Sequence, residues 1–316
     1  MLALPHQLRA RGVLGINARN TEFIQRYNPR HLYPLVDDKL QTKRLALSAG
    51  IAVPALYGTM TTPGETKGFA DLVVAHEDFV LKPAHGSGGD GILVFTGRSA
   101  RRRGQYRLID GSFMTESEIR FHATNIISGR YSLGGNRDCA MLEYCVRADP
   151  VFEHVSYRGI PDIRVLVFRG YPAAAMVRLP TRASHGKANL HQGAVGVGID
   201  LASGETRFGV LNSTVTDEHP DTGELIAGIQ VPQWDKLLDL AASCYELAGL
   251  GYLGVDMVLD RYHGPLILEL NARPGLAIQI ANQAGLAKRL RRIEALADGA
   301  PVAERIAWAR AAREQG

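Results

Sequence analysis

The stretch Phe79-Val80-Leu81-Lys82-Pro83-Ala84-His85-Gly86-Ser87-Gly88-Gly89-Asp90-Gly91-Ile92-Leu93-Val94-Phe95 carries the first decision about the fold. An apolar run ends at Lys82, glycines crowd the middle, and a second β-branched and aromatic run follows. The glycine loop therefore joins strand to strand. A P-loop needs G-x-x-x-x-G-K-[ST] opening a helix, and a dinucleotide-binding turn also feeds a helix. Neither Lys nor Ser/Thr stands where those motifs require it, so both are excluded. What remains is a hairpin flap with Gly86, Ser87, Gly88 and Gly89 at its tip. Glycine lets the main chain adopt positive φ and bring its N–H groups up to an anion. A plain mobile hairpin fits the glycine content equally well.

Working upstream, residues 1–36 read as short and irregular, broken by Asn28-Pro29 and Tyr33-Pro34. A helix opens at Asp38, with Gln41 as capping-box partner, and stops at Gly50 ahead of Pro54. A strand at Leu56–Met60 and a helix over 65–76 lead into the glycine stretch. Downstream, strands are expected at 163–168, 173–179, 195–199, 253–259 and 266–270. A helix over Trp234–Ala248 ends at Gly249, another starts at Leu276, and the tail past Lys288 is helical. The mixture is α+β without an internal repeat, and Asp149-Pro150 breaks the chain near residues 146–150.

Composition sets the outer limits. A chain of 316 residues with 46% hydrophobic and 22% charged residues can build about two domain-sized cores. The net charge of +4 is too small to require nucleic acid or an anionic membrane as partner. No run approaches 18 apolar residues, and the N-terminus lacks a signal-peptide core. Cys139, Cys145 and Cys244 are odd in number and show no CxxC spacing, which argues against a disulfide framework or zinc site and fits a reducing cytoplasm. Cys145 reads as a small buried hydrophobe rather than a nucleophile. Glycine is in surplus, with 34 residues where typical usage gives roughly 22.

The strongest chemical signal is Asp256 with Glu269-Leu270-Asn271. A four-residue turn Arg261-Tyr262-His263-Gly264 would pair Asp260 with Pro265 and set Asp256 opposite Glu269, with Asn271 on the same face. A slip of one residue would separate the acids onto opposite faces. Hard oxygen donors of this kind suit Mg²⁺ or Mn²⁺, with substrate phosphates completing the shell. A solvated hairpin with chance acids is the plainer alternative, but these acids sit within apolar strands. Lys82 and Lys39 are candidates for a nucleotide phosphate. The string Glu143-Tyr144-Cys145-Val146 is a hinge able to offer backbone groups to an adenine edge.

Lys39, Lys82 with its glycine loop, the hinge at 143–146 and Asp256…Glu269-x-Asn271 stand in an order that resembles the ATP-grasp ligase superfamily over residues 37–285. Asp162-Ile163-Arg164, Asn189-Leu190-His191-Gln192-Gly193 and Glu269-Leu270-Asn271-Ala272-Arg273-Pro274-Gly275 look like its RimK-type, α-L-glutamate ligase-like branch. The resemblance implies an N-terminal subdomain over 37–146 and a C-terminal one over 147–287, both α+β, clasping ATP between them. A short segment 1–36 would precede them, reduced against the family's usual N-terminal domain, and a helical tail 288–316 would follow.

The resemblance further implies that Lys39 and Lys82 hold the α- and β-phosphates while the flap at Gly86, Ser87, Gly88 and Gly89 closes over the γ end. Tyr144 and Val146 would meet adenine through their backbone, Glu143 would approach its amine, and Glu153 the ribose. Asp256, Glu269 and Asn271 would bind two Mg²⁺ ions. Arg164, Asn189 and His191 would serve the transferring groups. The implied reaction is ADP-forming carboxylate–amine ligation through an acyl phosphate. Arg178, Arg182, Lys187 and Arg273 suggest an acidic amino acid or peptide substrate such as glutamate or aspartate. With so short an N-terminal segment, the expectation is either a small-molecule acceptor or an acceptor site completed by an oligomer neighbour or partner chain, and neither nucleic acid nor membrane is expected as partner. Two rival readings are an ATP-binding sensor without turnover and a ligase with a thiol or hydroxyl acceptor. Arg101-Arg102-Arg103 and Lys288-Arg289-Leu290-Arg291-Arg292 raise nucleic-acid binding, but neither run has interleaved aromatics.

Overall fold

A computed structural model describes residues 4–86, 88–132 and 134–312, so Ser87 of the flap lies outside the described residues. The chain falls into two compact units. One comprises Asp38–Lys43 and Val53–Val146, the other Met1–Asp37, Arg44–Ala52 and Arg147–Gly316. The N-terminal segment and the C-terminal tail are parts of the second unit and not separate bodies.

The first unit is a six-stranded sheet ordered β1-β6-β2-β3-β4-β5. Its strands are β1 (Leu56–Met60), β2 (Phe79–Pro83), β3 (Leu93–Arg98), β4 (Gln105–Leu108), β5 (Phe113–Thr115) and β6 (Ala140–Glu143), paired antiparallel throughout. The helix opened by Asp38 is α1 (Lys39–Ser48). The Asp38 carboxylate accepts from the Leu40 N–H at 2.8 Å, and the Gln41 amide donates back to it at 3.1 Å. Helix α2 (Glu116–Ile127) follows β5 directly, and Thr115 and Glu118 close a reciprocal capping box at its start. Its buried Ile119, Ala123 and Ile126 recur at helical spacing and pack with Phe69, Phe79, Phe95 and Tyr106. The expected helix over 65–76 shrinks to a 3₁₀ turn, Glu65–Gly68, and a single α turn, Phe69–Leu72. Gly68 stands at their junction, and glycine disfavours a helix interior.

The second unit is a seven-stranded antiparallel sheet ordered β11-β10-β9-β8-β7-β12-β13. The strands are β7 (Asp162–Phe168), β8 (Tyr171–Leu179), β9 (Val195–Ile199), β10 (Thr206–Leu211), β11 (Thr214–Thr216), β12 (Tyr252–Asp260) and β13 (Gly264–Asn271). Strands β7, β9 and β12 are buried along their whole length. Being covered on both faces, they read as apolar runs without the alternation typical of antiparallel sheets. Helix α3 (Trp234–Ala248) packs on β7, β8 and β12 and ends at Gly249, whose φ of 64° needs glycine. Leu166, Ala174, Met176 and Tyr252 form a core with Ile278 of α4 (Ala277–Ala281) and with Leu286 and Leu290 of α5 (Leu286–Glu294). The last helix is α6 (Val302–Ala311).

The N-terminal segment corrects the reading of 1–36 as irregular. Helical turns run at Pro5–Ala10 and Ile16–Ala18, then through a π turn at Arg19–Ile24 into Gln25–Tyr27. Its helical pieces, three to six residues each, are too short to show a period. It is held by burial of Phe23, whose ring meets Phe168 edge-on at 5.4 Å and lies 6.2 Å from Tyr252.

Candidate functional site

The hairpin β12–β13 brings the two acids together by a route the sequence did not show. Asp260 pairs with Gly264, not with Pro265, so the turn has three residues and the register near it is shifted by one. Continued unbroken, that register would place Asp256 opposite Leu268 and Glu269 on the other face. A bulge between Asp256 and Met257 on β12 absorbs one extra residue of β13, and Asp256 pairs with Glu269 after all. Asn271, two residues on, lies on the same face as Glu269. On the other side of β12, Asp256 pairs with Arg164 of β7. Arg164, Asp256 and Glu269 thus form one row across three strands.

The row is already a charge network. Arg164 grips Asp256 with two hydrogen bonds, Nε to Oδ1 at 2.6 Å and a terminal nitrogen to Oδ2 at 2.5 Å. Arg178, next along the face on β8, donates to Asp256 Oδ2 at 2.9 Å and forks onto both oxygens of Asp162. Asp256 is 1% exposed, so this carboxylate survives burial only because two guanidiniums face it. Burial would raise its pKa, but Arg164 and Arg178 outweigh burial and hold it well below the usual carboxylate range. Asp162 has Arg178 as its main partner and feels the charge of Asp256. Burial pushes it up to about 6. Arg178, expected at a substrate carboxylate, is therefore committed to Asp162 and Asp256, because the sheet register places it directly across from Asp162.

The oxygen donors suit a hard divalent cation. Asp256 accepts three hydrogen bonds of the about four that a carboxylate can take. The Asn271 side-chain oxygen accepts from the Arg273 N–H at 2.8 Å and keeps its second lone pair. Glu269 completes the set from a half-buried position. Among the described residues no cluster of three or more His, Cys, Asp or Glu forms a complete metal cage. A two-carboxylate, one-amide set accords with Mg²⁺, which keeps waters and phosphate oxygens in its shell.

The first unit holds a second network. Lys82, at the end of β2, and Lys43, on α1, both pair with Glu143 at the end of β6, Lys43 at 3.0 Å. Burial depresses the Lys43 pKa, partly offset by Glu143. Glu143 is 3% exposed, and although burial acts to raise its pKa, Lys82 and Lys43 together bring it down. Its side chain thus lies between two ammonium groups. Two cations against one carboxylate leave this cluster with a positive excess. Lys39 lies one turn before Lys43 and donates to the Gly86 carbonyl at 2.5 Å. Strands β2 and β3 pair directly, which establishes the glycine stretch as a hairpin connection, and Gly88, Gly89 and Gly91 all take positive φ. At the root of the flap, Asp138 accepts from the His85 backbone N–H and lies 2.8 Å from its Nδ1. The Tyr144 N–H is taken by the Ala55 carbonyl at 2.8 Å, and Val146 is buried two residues on.

The remaining expected residues lie in the second unit. Asn189 caps the 3₁₀ turn Leu190–Gln192 by accepting from the His191 N–H at 3.0 Å, and His191 itself is exposed. Arg273 stacks over the Tyr33 ring at 4.8 Å, Lys187 is half-buried, and Glu153 is exposed in the turn Pro150–Val155. Lys43, His85 and Asp138 were missed in the sequence. Only Lys43 left a signal there, its spacing of four from Lys39 on one helix face.

The sequence profile of the family described as sugar-transfer associated ATP-grasp matches residues 18–295. A curated relative from Maridesulfovibrio salexigens, described as a probable α-L-glutamate ligase, is 25% identical over 239 residues, or 76% of this chain and 56% of that protein. The chain thus spans little more than half the length of this relative, and the expected similarity to α-L-glutamate ligases is present. Among solved structures, the RimK domain ATP-grasp protein of Sphaerobacter thermophilus is similar over 84% of this chain and 70% of its own, with TM-score 0.45 and 15% identity. A RiPP-associated ATP-grasp ligase of Chryseobacterium gregarium, in complex with ADP and a leader and core peptide, gives TM-score 0.45 at 13% identity over 84% and 61%. The profile match covers most of the chain and takes in both lysines, the flap and the acid-bearing hairpin. The chain belongs to the sugar-transfer associated ATP-grasp family, within the ATP-grasp superfamily.

Proposed function

We propose that the chain is an ADP-forming ligase that joins a carboxylate to an amine. A carboxylate oxygen of the first substrate attacks the γ-phosphorus of ATP, the bond to the β-phosphate oxygen breaks, and ADP leaves. The amine nitrogen of the second substrate then attacks the acyl carbon of the acyl phosphate. Inorganic phosphate departs, and the nitrogen loses a proton as the amide forms. Phosphoryl transfer asks the protein mainly for alignment and charge neutralisation. The observation that carries the reading is the row Arg164–Asp256–Glu269 with Asn271 beside it.

In this reading Asp256, Glu269 and Asn271 hold Mg²⁺, which supplies charge neutralisation at the phosphates when bound. Lys39 and Lys82 bind phosphate oxygens, and the glycine flap, with Gly86, Gly88 and Gly89, shields them from water. Tyr144 and Val146 flank the adenine and Glu153 the ribose. Arg164 positions Asp256 and steadies negative charge at the acyl centre, with Asn189 and His191 on the loop that follows β8. Arg178 becomes a positioning residue that orients Asp256. Lys187 and Arg273 are the cations proposed to meet an acidic substrate, and the likeness to a probable α-L-glutamate ligase supports glutamate as one candidate.

The test is ADP release with Mg²⁺-ATP against pairs of amino acids and short acidic peptides, with mass spectrometry of the products. Turnover that requires both a carboxylate and an amine, and vanishes in Glu269→Gln and Asp256→Asn, is the expected result. One observation favours nucleotide binding without turnover instead: Asp256 is already neutralised by two guanidiniums. That reading requires ATP binding with no stimulated ADP release across the whole panel.

A further inference from the structure

The basic run of α5 divides its charges among three directions. Arg289 donates to the carbonyls of Ala309 and Ala312 beside α6. Arg291 pairs with Glu294 at 2.6 Å and with Glu22. Lys288 and Arg292, one turn apart, line a groove of about 1550 Å³ in the second unit, the Arg292 guanidinium also lying 5.5 Å from the Trp308 ring. Arg11 stands with them, and the backbone puts it there. Ala287 donates to the Gly12 carbonyl at 2.9 Å, and a Cβ on Gly285 would lie 2.1 Å from the Gly12 carbonyl carbon. Gln279 locks the junction, accepting from the Leu14 and Leu286 N–H groups at 2.8 and 2.9 Å.

Among the described residues, the groove's lining contains five cations and no carboxylate. Arg207 is neutralised by Asp200, and Arg289 is bonded to carbonyls. Arg11, Lys288 and Arg292 are exposed and have no acidic partner among the described residues. Between the cations the wall is apolar, including Phe208, Val215 and Ile280, the last two 52% and 47% exposed. The lining also includes Leu190 and His191, of the turn proposed above to serve the reacting groups. An occupant must therefore be anionic and apolar by turns. The groove also has room for more than one amino acid, since its volume of about 1550 Å³ exceeds the roughly 300–1,000 Å³ of ordinary small-ligand sites.

We infer that this groove holds an acidic peptide segment, its carboxylates on Arg11, Lys288 and Arg292 and its apolar side chains on Phe208, Val215 and Ile280. The inference rests on the ligase reading, in which that peptide is one of the two substrates. Nucleic acid fits less well, because three cations around an apolar wall make no phosphate track and, among the described residues, Phe208 is the one Phe, Tyr or Trp in the lining.

The test is fluorescence anisotropy with a labelled hexapeptide of alternating leucine and glutamate, without ATP. Glutamine-for-glutamate and lysine-for-glutamate versions serve as comparisons. The acidic peptide should bind, and binding should weaken at least about 30-fold in the Arg11→Glu/Lys288→Glu/Arg292→Glu variant. Single Arg11→Gln and Lys288→Gln changes should each weaken it less, while ATP affinity and circular dichroism stay unchanged. Equal binding of the glutamine peptide, or acidic-peptide binding untouched by these variants, overturns the inference. So does sedimentation with vesicles of phosphatidylglycerol and phosphatidylcholine while no peptide binds. ADP release decides the ligase reading separately: turnover on acidic peptides that ignores the groove variants defeats the groove alone, and peptide binding without turnover defeats the ligase alone.

Discussion

Asp256 and Glu269 are cross-strand neighbours, yet they have opposite surroundings, and substitution should separate what each contributes. Asp256→Asn leaves Arg164 and Arg178 buried with less compensation, a change expected to cost about 3–5 kcal/mol and to lower the urea midpoint markedly. Glu269→Gln, at a half-buried position, should shift stability by no more than about 1 kcal/mol while abolishing turnover, which makes it the cleaner probe of the metal role. The buried acid Asp162 gives a pH signature. Its folded pKa is raised from 3.8 to about 6, chiefly by burial. Between those values the folded chain binds more proton than the unfolded one, so this group's contribution to stability falls as pH rises through the window. Asp256, depressed by its arginines, contributes above its unfolded pKa and loses that contribution as pH falls through the folded one. Asp162→Asn should thus remove the downward slope of unfolding midpoint between about pH 4 and 6; an unaltered slope would assign it elsewhere. The acids, the amide and the lysines were legible as candidates because their chemistry is written in residue type. The occupation of Arg178 by Asp162, and of Glu143 by Lys43, was not, because partnership depends on register and on which helix turn faces a strand.

Legibility of the elements followed their length and punctuation. The strand Leu56–Met60, the helix Trp234–Ala248 and the helix opened by Asp38 stand where pattern and caps placed them. Strands β4 and β5 went unread, since segments of four and three residues are too short to show alternation. The helix Glu116–Ile127 also went unread, although Thr115-x-x-Glu118 is a capping-box signature. The Thr115 hydroxyl accepts from the Glu118 N–H at 3.3 Å, while the Glu118 carboxylate accepts from the Thr115 N–H at 2.7 Å. Thr115→Ala should therefore lower stability by about 1 kcal/mol, measured as a shift of denaturant midpoint at constant slope. An unchanged midpoint would mean that the tertiary contacts of Ile119 and Ile126 hold the helix without its cap.

Across the whole molecule, a net charge of only +4 conceals strongly sorted charges. Arg164 and Arg178 are consumed against acids inside a sheet, Lys43 and Lys82 share one carboxylate, and Arg11, Lys288 and Arg292 stand around an apolar groove. No helix among the described residues is long and apolar enough to cross a membrane, and the three cysteines are free. The family was legible because the order of its motifs survives in one dimension; the groove was not, because Arg11 and Lys288 are brought together by tertiary contacts around Gly12 and Gly285. The bulge in the acid-bearing hairpin has a wider bearing. It puts the tip of that hairpin and its acid end out of phase by one residue, while the neighbouring strand independently fixes Asp256 against Arg164. The chemistry is thereby insulated from the loop at 261–263: that tip is free to drift in sequence or acquire a new contact without rotating either acid off its face.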